Sequence, residues 1–135
     1  VNAVEAALYS KLTGDGTLVG LLAAGTASVH AYRAPENSVS PLVVFSEQAD
    51  TPGYTFRARA WENLLYLVKG VVEEYSMKTA GQIAERLDAL LSDGTLSISG
   101  RSLLYLRRET GVRYSEQSDG KTYYHAGGVF RVWTT

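Results

Sequence analysis

Cysteine is absent from this 135-residue chain. That excludes disulfides and thiolate metal sites, and it suits a reducing compartment. Long apolar runs are missing too: no stretch approaches the roughly 20 residues a membrane-crossing helix needs. No basic-then-apolar export pattern opens the chain, so it reads as soluble, with no membrane partner expected. An excess of one charge is also lacking, since 13 basic side chains face 14 acidic ones for a net charge of -1. Nothing global therefore draws the chain to nucleic acid or to an anionic surface. There is no internal repeat, low-complexity tract or Pro/Gly/Ser linker. Residues 1–135 are expected to form a single domain.

What is present is a hydrophobic fraction of 45%, ample for one sheet-and-helix core. Asn2 can cap a first helix with Glu5 three residues on, and Val4, Leu8 and Leu12 recur on one face. Gly14-Asp15-Gly16 breaks it, and Leu18, Leu21 and Leu22 predict a second short helix ending before Gly25. Residues 28–33 turn β-like, and Leu42-Val43-Val44-Phe45 reads as a short buried strand. Within 48–60, Asp50-Thr51-Pro52-Gly53 is a turn signal, which predicts an extended hairpin tip. Residues 62–72 are apolar on both faces and suit a central strand. Ser76 is placed to cap an amphipathic helix whose apolar positions are Ala80, Ile83, Ala84, Leu87, Leu90 and Leu91. Asp93-Gly94 ends that helix, a short strand is expected over 95–99, and 102–114 and 121–133 form a hairpin through Ser118-Asp119-Gly120. The fold class expected is α+β: a mainly antiparallel sheet packed on one long amphipathic helix and a short N-terminal helical pair.

Chemistry finds little support in these residues. His30 and His125 are the only histidines and share no metal-ligand spacing, so both are read as structural or solvent-facing. Glu73-Glu74 are neighbours at a strand end and point apart, which does not suit paired-carboxylate catalysis. Gly14, Gly16 and Gly20 lack a following Gly-Lys-Ser/Thr, and Gly127-Gly128 is read as a bulge. No Gly-x-Ser-x-Gly elbow occurs. Catalytic, metal and cofactor sites are all expected to be none, and the chain is not expected to be an enzyme.

Tyr, Trp and Arg, the residues enriched at interface centres, are however concentrated in two places. Tyr54, Phe56, Arg57 and Arg59 fall on the predicted tip beside Trp61, and Arg107 and Arg108 lie with Arg113 on a C-terminal strand. The tip residues are read as a protein interface because a tip has little core to join. Arg107 and Arg108 are candidates for the same role, with solvation as the alternative.

The order Leu8-Tyr9-x-x-Leu12, Asp15-Gly16-x-Leu18, His30-Ala31-Tyr32-Arg33-Ala34-Pro35 and Pro41-Leu42-Val43-Val44-Phe45 resembles the tail terminator, or tail-completion, family of long-tailed bacteriophages. The likeness continues through the helix from Thr79 to Leu91 and the strands ending at Phe130-Arg131-Val132-Trp133. It implies a subunit that forms a ring, usually a hexamer, on the head-proximal end of the tail tube. The ring stops tube polymerisation and receives the head. The partners implied are other copies of itself, the tail tube protein and a head-completion or connector protein. DNA would pass through the lumen without sequence-specific binding. The implied location is the virion, after assembly in the host cytoplasm. Rival readings are another neck component, a small-molecule-binding α+β domain, and a single-strand binder stacking bases on Tyr105, Tyr123 and Tyr124.

Overall fold

The computed structural model describes residues 2–74 and 76–135. Its elements are α1 (Asn2–Thr13), α2 (Gly16–Val19), a 3-10 turn (Gly25–Ser28), β1 (Val29–Ala31), β2 (Leu42–Tyr54), β3 (Arg59–Glu73), α3 (Lys78–Leu91), β4 (Leu103–Ser118) and β5 (Lys121–Thr134). The strands form one sheet in the order β1-β2-β3-β5-β4. Strand β1 runs parallel to β2, and every other pairing is antiparallel. The class is α+β.

Val4, Ala7, Leu8 and Leu12 are the buried stripe of α1, spaced so that they share one face. Asn2 lies inside this helix instead of capping it. Asp15 caps α2, accepting from the Leu18 N–H at 3.0 Å, and it also receives two hydrogen bonds from Arg86 of α3 at 2.7 and 2.6 Å. One carboxylate therefore both starts a helix and ties it to another. The Arg86 hydrogen bonds hold the Asp15 carboxyl below its usual range, against the opposing effect of burial.

The buried face of α3 is formed by Ala80, Gly81, Ile83, Ala84, Leu87 and Leu91, which matches the periodicity except at half-buried Leu90. Ala80, Ile83, Ala84, Leu87 and Leu91 share one core with Leu64, Tyr66, Phe130 and Val132 of the sheet and with Val4, Leu8 and Leu12 of α1. Each fully buried Leu or Ile contributes about 1.5–3 kcal/mol. The cap differs from expectation. Glu74 accepts from the backbone N–H of Thr79 at 3.2 Å and from its hydroxyl at 3.2 Å, whereas Ser76 accepts only a long 3.4 Å bond from Lys78. A carboxylate beside a helix N-terminus also suits the helix dipole.

Four strand expectations are corrected. Strand β3 is not buried on both faces: residues from Glu62 to Val72 alternate buried with half-buried. The buried set faces the helices, as Gly70 shows by abutting Ile83 of α3. Asp50-Thr51-Pro52-Gly53 is not a turn but the end of β2, paired with β3 as far as Gly53↔Trp61. Pro52 is tolerated because β2 has no outer neighbour beyond Phe45 among the described residues. Residues 95–99 form no strand; Leu96 and Ile98 are buried in extended chain. Gly127 and Gly128 pair regularly on both sides, and the irregularity lies opposite, between Arg108 and Thr110 of β4. The Gly127 site has no room for a side chain, because a Cβ there would lie 2.1 Å from the Val68 carbonyl oxygen.

The β4–β5 hairpin turns through Asp119 and Gly120, with φ of 52° and 76° and Ser118 opposite Lys121. Two positive φ angles are what a two-residue type I′ turn needs to match the twist of its strands.

Candidate functional site

The tip is present but displaced along the chain. Tyr54 pairs with Arg59, and the Thr55 N–H donates to the Ala58 carbonyl at 2.9 Å, so the turn is Thr55-Phe56-Arg57-Ala58. Phe56 stands wholly in solvent, Tyr54 is 64% exposed, and Arg57 makes no ion pair among the described residues. The Phe56 ring therefore packs on no part of the core.

Arg59 behaves differently from Arg57. It donates to Glu62 at 3.1 Å, and Arg101 donates to the same Glu62 oxygen at 3.1 Å. Glu62 is 1% exposed. Burial pushes its carboxyl up, but hydrogen bonds from Asp50, Arg59 and Arg101 outweigh that and hold it below the usual range. The Asp50 carboxyl is raised, first by burial and then by the neighbouring Glu62. The base of the tip is thus a polar anchor, while its end is free.

The structure does not bring Arg107 and Arg108 together. Consecutive strand residues point to opposite faces. Arg107 donates to Asp93 at 2.5 Å and lies 5.1 Å from the Tyr105 ring centre. Arg108 is 3.6 Å from Asp88 of α3 on the helix-covered side. Neither joins the tip residues in one patch.

Sequence reasoning missed the face of the sheet that the helices leave open. Its β3 row is Trp61, Asn63, Leu65, Leu67, Lys69 and Val71, mostly half-buried. Trp133 and Tyr105 meet there edge to face at 6.4 Å. His125 stacks on Tyr114 at 4.4 Å and its Nε2 lies 2.5 Å from Glu116. Burial first, then the charge of Lys69, lowers the His125 pKa. Arg131 pairs with Glu109 and Asn63, Lys121 with Glu73 at 4.0 Å, and Lys69 with the Tyr114 hydroxyl at 2.7 Å. The alternation of β3 was the available signal, since Leu65, Leu67 and Val71 interleave with the core row. Tyr105, Tyr123 and Tyr124 form no common platform: Tyr124 packs against the core, on the side opposite Tyr123.

Among the described residues no cluster of three or more His, Cys, Asp or Glu side chains has the arrangement of a metal site. No helix there is long and apolar enough to cross a membrane. One concavity of about 430 Å³ between α3 and β4 is lined by Glu85, Asp88, Arg108 and Arg113 together with Ala84 and Val112.

Solved structures share this fold. A chain from the virion of a native gene transfer agent (GTA) particle aligns with a TM-score of 0.78 at 19% identity, covering 98% of this chain and 95% of that one. A second solved chain aligns with a TM-score of 0.58 at 15% identity, covering 97% and 94%. No curated protein matches. The family model described as tail completion protein gp17 matches residues 6–135, and the chain belongs to that family of phage tail structural proteins.

Proposed function

We propose that this protein caps the head-proximal end of the phage tail tube as a closed ring, most simply a hexamer, stops tube polymerisation and offers the surface on which the head joins. The observation that carries the reading is the β2–β3 hairpin, which holds Tyr54, Phe56 and Arg57 out in solvent on a polar anchor at Glu62. A rigid ladder that ends in an exposed aromatic and a cation suits contact with a tube subunit or a neighbouring copy. A ring requires heterologous contacts, one patch meeting a different patch on the next copy, and the chain offers such unlike surfaces.

The open sheet face supports a role around DNA in transit. Its cations are matched by anions or hydroxyls of the same face, as in Arg131 with Glu109 and Lys121 with Glu73. A wall of matched charges would not grip phosphates tightly, and tight binding would hinder passage. The partners in this reading are other copies of the chain, the tail tube protein and a head-completion or connector protein. The protein resides in the virion after assembly in the host cytoplasm.

Electron microscopy of tail tubes assembled with and without the protein tests this. Tubes of defined length with added density at the head-proximal end are expected. Unchanged length distributions with no end density would overturn termination, and density found only on isolated heads would move the protein to the neck.

A further inference from the structure

We propose that the hairpin tip of one copy docks in the next copy, with Phe56 entering the groove beside residues 34–38 and Arg57 standing opposite Glu36 on its rim. The inference rests on the ring reading above and names the contact that would build the ring.

The groove lies on the open sheet face, at the end farthest from the tip. Its floor includes Val44, Val71 and Tyr123, all half-buried and all on the side the helices leave bare. Pro35 and Ser38 of the loop after β1 line one side, and Glu116 and Ser118 of β4 line the other, across the width of the sheet. The space between them is about 380 Å³, within the range of pockets that receive ligand-sized groups. The loop is tied down. Ser38 donates to the Pro35 carbonyl from its N–H at 3.2 Å and from its hydroxyl at 2.6 Å, and the Glu73 N–H donates to the Ser40 hydroxyl at 3.0 Å. The groove is therefore formed before any partner arrives, which lowers the ordering cost of filling it.

The tip matches this groove in shape and in charge. Phe56 is wholly exposed at the crest of the turn, with Tyr54 and Trp61 partly exposed behind it, and aromatic rings beside an arginine are the side chains that anchor interfaces. Arg57 has no ion-pair partner among the described residues. Glu36, exposed between the lining residues Pro35 and Asn37, has none there either, while Arg33, the loop's other charge, precedes them. Glu116 adds a second acid in the groove wall. Its partner His125 is disfavoured from taking a proton by burial and by Lys69, so the imidazole leaves the carboxylate charge standing at neutral pH. Neighbouring cations are engaged elsewhere: Lys69 donates to the Tyr114 hydroxyl at 2.7 Å, and Lys121 pairs with Glu73 at 4.0 Å.

Position makes the contact head to tail. Strand β2, 13 residues long, begins at the groove and ends at the tip, which separates the two by roughly 40 Å. A tip cannot reach the groove of its own chain. Two unlike surfaces at opposite ends of one sheet are what a heterologous, ring-forming contact requires. Six copies joined at that spacing trace a hexagon whose corners lie roughly 40 Å from the axis, because the side of a hexagon equals its radius. The centre stays open for passage.

The absence of cysteine makes the test clean. Ala58→Cys, on the exposed flank of the turn, and Ser118→Cys, in the groove wall, leave Phe56, Arg57 and Glu36 in place. Both are put in one chain, assembled onto tail tubes and treated with a short thiol cross-linker. A ladder of linked copies is expected from the double variant, with no linkage from either single variant and dimers at most from a mixture of the two. A double variant that stays on tails but does not link, or a single variant that links to itself, would overturn the tip contact and leave the terminator reading standing. Loss of the double variant from tails that retain wild type passes the decision to the charge pair. Arg57→Glu and Glu36→Arg should each reduce tail-bound protein about tenfold, and the two together should restore it; no restoration would overturn the contact. Wild-type protein that never binds tails would overturn the terminator reading, and this contact with it.

Discussion

The indole of Trp61 lies across Gly53: a Cβ built on Gly53 would stand 2.0 Å from its ring atoms. Glycine at this paired position lets the Trp61 ring lie over the end of β2. Gly53→Ala should therefore displace the indole and loosen the hairpin at its tip, costing about 1–3 kcal/mol as overpacking does. Tryptophan fluorescence would report the change locally and denaturant unfolding globally. An unchanged spectrum with unchanged stability would show that the ring does not rest on Gly53.

The exposed end of the tip and its anchored base should respond differently to substitution. Phe56 is fully exposed and Arg57 makes no ion pair among the described residues, so Phe56→Ala and Arg57→Glu should leave stability within about 0.5 kcal/mol, while lowering attachment to tails. Arg59→Glu removes one of the two cations held by buried Glu62 and adds an acid beside Asp50 and Glu62, so it should destabilise by about 1–3 kcal/mol. Thermal unfolding of the three variants alongside a tail-binding assay separates the roles. Full tail attachment by Phe56→Ala and Arg57→Glu would remove the tip from the interface.

His125 gives stability a pH dependence. Its folded pKa is lowered, by burial first and then by Lys69, while the facing Glu116 opposes the shift and Tyr114 stacks on the ring. The unfolded chain therefore takes up this proton at higher pH than the folded one. The contribution is complete above the unfolded value of about 6.5 and declines as pH falls through it. Denaturant midpoints should fall between pH 7 and 5.5, and His125→Phe, which keeps an aromatic ring beside Tyr114, should flatten that fall. An equal slope in the variant would assign the dependence to other groups.

Much of this architecture was legible in residue order. The apolar spacing of Ile83, Ala84, Leu87 and Leu91 in α3, and the Ser118-Asp119-Gly120 signal for the last hairpin, depend on local chemistry. The misplaced turn had a local signal too, since Asp50-Thr51-Pro52-Gly53 has turn composition. It is held straight because β3 offers it a complete partner while its other edge carries no obligation that Pro52 could fail. Ser76 lost the cap to Glu74, a carboxylate that satisfies two groups of Thr79 from five residues away. The open sheet face, and the division of Arg107 from Arg108, depend on which side the helices cover. That is settled by packing across the whole chain and leaves only a faint trace in any short window.

Packing between α3 and the sheet supplies the most stringent test of the fold itself. Gly70 lies under Ile83 so closely that an added Cβ would come within 2.5 Å of the isoleucine methyl and 2.9 Å of its Cβ. Because the second of these atoms is fixed to the helix backbone, the conflict cannot be relieved by a rotamer change alone. Gly70→Ala should push α3 off the sheet at a cost of about 1–3 kcal/mol. Ile83→Ala alone should cost about 2–5 kcal/mol through the cavity it leaves. Together the two should cost less than their sum, because the new methyl fills part of the space the isoleucine vacates, and the coupling measured by a double-mutant cycle should exceed about 0.5 kcal/mol. Strict additivity would mean that the helix and the central strand do not meet at these two residues.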